Sequence, residues 1–237
     1  MELTSIILCL AAIIPAAFYI LYVDMFDSHK PEPRRLLFVA AFVGAVVALA
    51  VTYSGLFVFP EGLQIKETHP LMESLSIGFL KLAIPIEVLK FVALFIFLSL
   101  NKYYDEYLDG MVYSVSLAMG FAGVWDVWFI TSGLDTASFE IIEKCIFIIL
   151  VLIPIHLAAS SMMGYFFALT RNKHKTWILV LALLLPIVIS GLSFSLLFLL
   201  GNHVAYYIII GILFTILSMI FYTQVFNLLK KDGIKTL

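Results

Sequence analysis

The sequence contains little charge and little cysteine. Only 13% of its 237 residues are Asp, Glu, Lys or Arg, and the formal net charge at pH 7 is -2. A nucleic-acid-binding surface needs clustered positive charge to neutralise phosphates, so this composition predicts no nucleic-acid partner. The two cysteines, Cys9 and Cys145, lie inside apolar runs. That placement argues against a disulfide-stabilised scaffold and against a thiolate metal cluster.

Apolar residues are abundant instead, at 63% of the chain with a mean hydropathy of +1.09. A helix needs about 20 apolar residues to cross a bilayer core of about 30 Å. Segments with strand-like alternation are not visible, and backbone groups in lipid must be hydrogen-bonded internally. We therefore predict an all-α, polytopic transmembrane helical bundle that forms one integral-membrane domain over residues 1–237. About seven spans are expected, at residues 4–23, 36–59, 74–100, 110–130, 145–169, 177–200 and 204–229.

Positive residues are distributed unevenly between the breaks that separate these runs. Ten of the 14 Lys and Arg residues lie in breaks on one predicted side or in the C-terminal tail. The other side has only Lys66 and Lys144. Because positively charged loops tend to remain in the cytoplasm, we predict an N-terminus outside and a C-terminus inside.

Two ionisable residues fall near the middle of predicted spans. Glu87 has 13 residues of its run on either side, and His156 has 11 before it and 13 after it. An ionisable group at this depth costs about 2.5–3.5 kcal/mol or more, so each is a functional candidate. Taken singly, each is also explained as a neutral hydrogen-bonding group between helices. Their similar depth favours one shared site, and Pro85 and Pro154 interrupt the two helices just before them.

Lys90 and Asp126 are further candidates. Lys90 follows Glu87 by three residues, so the two share a helix face and are able to form an ion pair. The alternative is that the long lysine side chain snorkels towards an interface. Asp126 lies four residues from the outer end of its run, so it is either part of the site or an interfacial acid.

Four motifs follow one another between residues 24 and 200. They are Lys30-Pro31-Glu32-Pro33-Arg34-Arg35 leading into residues 42–45, Pro85-Ile86-Glu87-Val88-Leu89-Lys90, Asp109-Gly110-Met111-Val112-Tyr113 with Gly120-Phe121-Ala122 and Trp125-Asp126, and His156 with Gly164-Tyr165. Their order and spacing resemble the PrsW family of multispanning membrane proteases, which is distantly similar to the CAAX-protease group. The resemblance implies proteolysis of a membrane-anchored protein, for example an anti-sigma-type regulator, in a bacterial inner membrane.

Three positions depart from the pattern of that family. Ile86 stands where the family has the first Glu of a Glu-Glu-x-x-Lys motif, and Trp125 stands where it has another Glu. Ser190 stands where it has a His in its last motif. Glu87, Lys90 and His156 match the family, and Asp126 occupies its Asn position.

Our leading hypothesis is a PrsW-like protease in which Glu87 acts as the base and His156 as the acid or orienter. Asp126 and Lys90 complete the predicted site. The alternative is that Glu87, Asp126 and His156 bind Zn²⁺ and leave a fourth position for water. One His and two carboxylates is an uncommon zinc set, so the expected cofactor is either none or zinc.

Two other functions are compatible with the same residues. The first is a catalytically inactive family member that binds a transmembrane partner, because three family positions are replaced. The second is a small transporter or proton relay, which would also explain a buried Glu and His. The two halves of the sequence show no corresponding broken helices, which counts against transport. Measurements of substrate cleavage, partner binding and solute or proton flux would distinguish the protease, the inactive binding protein and the transporter.

Overall fold

The computed structural model describes residues 3–25, 32–53, 69–133, 140–173, 176–200 and part of the segment between 209 and 223. Every element assigned in the ranges up to residue 200 is a helix. The α-helices are α1 Leu3–Asp24, α2 Arg34–Tyr53, α3 Pro70–Leu75, α4 Ile84–Leu100, α5 Tyr107–Trp128, α6 Ile141–Phe147, α7 Ile153–Lys173 and α8 Thr176–Leu200. Three π-helical segments join or extend them, π1 Ser76–Ala83, π2 Phe129–Gly133 and π3 Ile148–Leu152.

Six continuous helical stretches in the described residues are long and apolar enough to cross a membrane. They confirm the predicted helical bundle, with α3, π1 and α4 forming one stretch and α6, π3 and α7 another. Most of the seventh predicted span, residues 204–229, lies outside the described residues, as do residues 54–59 of the second. The orientation of the termini and the single-domain organisation stay predictions.

Helix α5 is the central element of the described bundle. It packs against α1, α2 and α7, and buried residues occur around its whole circumference. A helix covered by protein on all sides does not need a lipid-facing apolar surface. This explains how α5 carries Ser114, Ser116 and Asp126 as buried side chains within a membrane-spanning segment.

Glycine contacts bring α5 very close to two neighbours. A Cβ atom on Gly44 of α2 would overlap the carbonyl oxygen of Leu117, and a Cβ on Gly120 would overlap that of Ala41. The same reciprocal contact joins α5 to α7, where a Cβ on Gly164 would overlap the carbonyl oxygen of Gly110. Small residues allow helix backbones to approach closely in membranes. The α5–α7 contact therefore fixes how these two helices sit against each other.

The two proline breaks predicted from the sequence coincide with changes in helix type. π1 ends directly before α4, whose second residue is Pro85, and π3 ends directly before α7, whose second residue is Pro154. Proline lacks the N–H needed for the helical ladder, and its ring crowds the carbonyl four residues earlier. Single turns of π-helix often occur at functional sites. Each break places its ionisable residue, Glu87 or His156, in the first turns of the following α-helix.

Candidate functional site

Glu87 and Lys90 form a fully buried ion pair on α4. The Lys90 Nζ lies 2.8 Å from Glu87 Oε1, and the two side chains are 1% and 0% exposed. A separation of three residues places both side chains on one face of the helix. The predicted ion pair is confirmed, and the snorkelling alternative is wrong for Lys90 because its ammonium points at Glu87 inside the bundle.

Serine hydroxyls from other helices bind this pair. Ser190 of α8 donates a hydrogen bond of 2.7 Å to Glu87 Oε1. The Lys90 ammonium donates to Ser160 Oγ of α7 at 3.3 Å. Ser114 of α5 in turn donates to the backbone oxygen of Ser160 at 2.8 Å. A continuous set of polar contacts therefore joins α8, α4, α7 and α5 in the interior of the bundle.

Asp126 and His156 form a second buried pair, between α5 and α7. The His156 Nε2 lies 3.1 Å from Asp126 Oδ1, and both side chains are fully buried. The interfacial alternative for Asp126 is therefore wrong. Its position near the end of the predicted span did not reveal that α7 covers it.

Aromatic rings surround His156. The ring centroids of Phe121, Trp125 and Phe194 lie 5.5, 5.6 and 6.4 Å from that of His156, all in edge-to-face geometry. We call these three residues the aromatic cage. Trp125 also stacks on Phe129 with centroids 4.6 Å apart. Edge-to-face and stacked aromatic pairs are each worth about 0.5–1.5 kcal/mol beyond burial, so the cage restrains the imidazole.

Lys90 links the two pairs. Its Nζ lies 5.8 Å from the centroid of Phe121, a ring that also contacts His156. All four site residues predicted from the sequence therefore lie in one buried region. We call Glu87, Lys90, Asp126 and His156 the charged cluster.

Three polar atoms of the charged cluster have no hydrogen-bond partner among the described residues. They are Glu87 Oε2, Asp126 Oδ2 and His156 Nδ1. An unsatisfied buried polar atom costs about 1–3 kcal/mol, and such atoms in native structures call for an explanation. These three side-chain atoms are the ones that the described contacts of the cluster leave open.

The predicted three-residue zinc set stays a prediction, and the geometry of its donors bears on it. In the described part of the chain, no group of three or more His, Cys, Asp and Glu side chains is placed to hold a metal ion. Asp126 and His156 contact each other, whereas Glu87 Oε1 is held by Lys90 and Ser190. A fixed ammonium on Glu87 repels a divalent cation. The described donors therefore do not fit a metal site.

A second polar contact joins two of the sequence motifs away from the charged cluster. The Tyr113 hydroxyl donates a hydrogen bond to Glu32 Oε2, and both residues are buried. Glu32 belongs to the Pro-Glu-Pro segment before α2, and Tyr113 to the Asp-Gly-x-Val-Tyr segment of α5. The contact fixes the entry to α2 against the central helix, which is a structural role for both motifs.

The chain was compared with known protein families and with named proteins. The family described as "PrsW family intramembrane metalloprotease" matches residues 32–223, which is most of the chain. This chain belongs to the PrsW family. Its PrsW relatives include three proteins named Protease PrsW. That of Clostridioides difficile (strain 630) is 27% identical over 194 residues, covering 78% of this chain and 76% of the relative.

The other two relatives come from bacilli. The Shouchella clausii (strain KSM-K16) protein is 27% identical over 208 residues, covering 84% of this chain and 87% of the relative. The Bacillus subtilis (strain 168) protein is 25% identical over 202 residues, covering 83% and 85%. No solved structure matches the chain. The PrsW relatives support the conclusion that this chain is a peptidase embedded in a membrane. Such a peptidase implies membrane-anchored substrates.

Two of the three departures from the PrsW pattern contact the charged cluster. Trp125 is part of the aromatic cage against His156, and Ser190 donates to Glu87. Ile86 precedes Glu87 and is fully buried. Trp125 and Ser190 therefore form part of the immediate surroundings of the site.

Sequence reasoning missed several residues of the site. Ser160 follows His156 by four residues on the same helix face, and this spacing is a signal that could have identified it. Ser190 was noted only as a departure from the family and not as a partner of Glu87. Phe121 was noted only as part of the Gly120-Phe121-Ala122 motif, and nothing in the local sequence distinguishes Phe194 from the many other apolar residues of its helix.

Proposed function

We propose that this PrsW-family chain is a membrane-embedded peptidase that cuts a membrane-anchored protein, with Glu87 and His156 as its acid–base pair. The observation that carries the proposal is the charged cluster. Two buried pairs lie on either side of the Phe121 ring, and three of their polar atoms are left open by the described contacts. An ionisable group inside a membrane protein is a functional candidate by default, and this cluster contains four of them.

Glu87 is the proposed base. Its Oε1 is engaged by Lys90 and Ser190, which leaves Oε2 to accept a proton from an attacking water. Lys90 and Ser190 would hold the carboxylate in place during this step. General base catalysis by a positioned side chain contributes about 10²–10⁴-fold to a rate.

His156 is the proposed acid. With Nε2 bound to Asp126, its Nδ1 is the ring nitrogen that would protonate the leaving amine. That role requires an imidazolium, and the Asp126 carboxylate would compensate its positive charge. The aromatic cage would hold the ring in one orientation. Asp126 and Lys90 are therefore positioning residues in this scheme.

The proposed substrate is a single-span protein in the bacterial inner membrane, for example a regulator of the anti-sigma type. The relatives come from bacteria and are named proteases. Because the cluster is fully buried within the helices, a peptide bond must reach it from the bilayer interior or from a bundle opening. A membrane-anchored substrate is the class that is already present there.

Reconstitution into liposomes with candidate single-span substrates tests this proposal. We expect Glu87→Gln and His156→Ala each to lower the cleavage rate by about 10²–10⁴-fold. Ser193→Ala is the control, because that hydroxyl donates within its own helix to Ile189 O. Cleavage that survives both cluster substitutions would reject the site. Proton or solute flux that Glu87→Gln abolishes would instead favour transport.

A second candidate function is binding of a transmembrane partner without cleavage. Trp125 favours it, because an indole packs against His156 and stacks on Phe129 where the family has a carboxylate. In this case a single-span partner would co-purify intact with the wild-type chain. Glu87→Gln would leave the amount of captured partner unchanged, provided that the variant remains folded.

A further inference from the structure

The donor atoms around the charged cluster differ from those that a metalloprotease family needs. A catalytic zinc ion takes three protein ligands from Cys, His, Asp or Glu and keeps one position for water. Trp125 supplies only an N–H donor, and Ile86 supplies no polar atom. Ser190 supplies a hydroxyl that is already donated to Glu87. Each departure therefore removes a possible ligand at a position beside the cluster.

The cluster also contains an internal cation beside these replaced donors. Lys90 Nζ lies 2.8 Å from Glu87 Oε1 and 3.3 Å from Ser160 Oγ, and it faces the ring of Phe121 at 5.8 Å. A buried charge is tolerated when it is paired and hydrogen-bonded, and Lys90 has both kinds of partner.

We infer that this chain holds no divalent metal ion at the charged cluster, and that the Lys90 ammonium compensates the buried Glu87 carboxylate there. The inference rests on the donor set and the position of Lys90, and it does not depend on whether the chain cleaves a substrate. It separates this chain from the metal dependence that its family description states. The cluster is stabilised by its own charges, and metal supply does not limit its folding.

Metal analysis of the purified full-length chain in detergent micelles tests the inference directly. We expect well below one zinc, iron, manganese or cobalt ion per chain by plasma mass spectrometry. We also expect no shift of the thermal unfolding midpoint when a chelator is added, because removing a structural metal would lower stability. One tightly bound ion per chain that disappears in both Glu87→Gln and His156→Ala would overturn the inference. A metal that both variants retain is bound elsewhere and agrees with it.

Restoring the missing donors provides a complementary test. The triple variant Ile86→Glu, Trp125→Glu, Ser190→His should raise the zinc content towards one ion per chain and should gain thermal stability on zinc addition. The matched control is Val88→Glu, Trp128→Glu, Ser193→His, which places the same residue types on the same helices at displaced positions. The control should gain no zinc. A folded triple variant that gains none would show that the missing donors are not the reason for the absence of metal, and would agree with exclusion of the metal by the Lys90 ammonium.

The two experiments also separate this inference from the proposed peptidase. Substrate cleavage that is insensitive to chelators supports both. No cleavage together with no metal refutes the peptidase and supports the metal-free cluster. If the triple variant does not fold, the metal content and chelator response of the wild-type chain decide the inference alone.

Discussion

The Glu87–Lys90 pair and the Asp126–His156 pair are equally buried but differently surrounded. The first lies within one helix and is bound by serine hydroxyls from α7 and α8. The second joins α5 to α7 and is enclosed by aromatic rings. The first pair therefore depends on local helix geometry and on neutralised charge. The second depends on how closely two helices pack.

Removing the charge of Lys90 should lower the free energy of unfolding more than any other change to the two pairs. Lys90→Met leaves the Glu87 carboxylate buried without its cation, and breaking a buried ion pair costs about 3–5 kcal/mol. We expect the double variant Glu87→Gln, Lys90→Met to recover much of this loss, because no unpaired charge remains. Denaturant or thermal unfolding in micelles measures both.

The exposed Lys102 on the segment after α4 provides the control. Lys102→Met should change the free energy of unfolding very little, since exposed charges contribute about 0–1 kcal/mol. If the single Lys90→Met variant is as stable as the double variant, the ammonium is not compensating Glu87 and the comparison between the pairs fails.

A substitution that separates α5 from α7 should weaken the contact between Asp126 and His156. Gly164→Ala places a Cβ against the backbone oxygen of Gly110, where neither helix can yield by moving a side chain. Overpacking of this kind costs about 1–3 kcal/mol. The His156–Asp126 contact should lengthen or break, which the imidazole resonances would report by NMR.

Gly123→Ala is the matched control on α5. The nearest atom to its new Cβ is a side-chain carbon of Ile13 at 3.9 Å, an ordinary contact distance. We expect its unfolding midpoint to equal or exceed that of the wild type. Equal destabilisation by both alanines would mean that the loss of glycine itself, and not the helix contact, matters.

The same contrast explains what the sequence could and could not predict. Apolar runs predicted about seven helical spans, and six of them are found in the described residues, because length and hydropathy are local properties. The spacing of Glu87 and Lys90 predicted their ion pair for the same reason. Asp126 and His156 are 30 residues apart, and Ser190 and Glu87 are 103 apart. Those contacts depend on helix packing, which single residues do not encode.

The π-helical segments were also beyond sequence reasoning. Pro85 and Pro154 indicated that the helical ladder was interrupted, but a kink, a broken helix and a π turn all begin from the same missing N–H. The packing of the neighbouring helices selects among them. The family resemblance identified Trp125 as a departure, whereas only the structure shows its ring against His156.

Weakening the aromatic cage should lower the free energy of unfolding by an intermediate amount, because the cage packs only around the Asp126–His156 pair. Phe194→Leu removes edge-to-face contacts with His156 and Trp125 while keeping most of the apolar volume. We expect a loss of about 0.5–1.5 kcal/mol in the free energy of unfolding. Phe198→Leu is the control, because the Phe198 ring centroid lies 6.5 Å from that of Phe129, outside the cage. Its free energy of unfolding should fall by less. A larger loss in the control would place the important aromatic packing outside the cage.

The smallest change in the free energy of unfolding is expected when a serine hydroxyl beside the Glu87–Lys90 pair is removed. Ser190→Ala removes one hydrogen bond to Glu87 Oε1 but leaves the Lys90 ammonium in contact with the same oxygen. Side-chain hydrogen bonds between membrane helices average about 0.6 kcal/mol, so the unfolding free energy should fall by about that amount. Ser195→Ala, which only breaks a bond to Gly191 O in its own helix, should lose less. A loss from Ser190→Ala as large as that from Lys90→Met would mean that the hydroxyl, rather than the ammonium, is the main partner of Glu87.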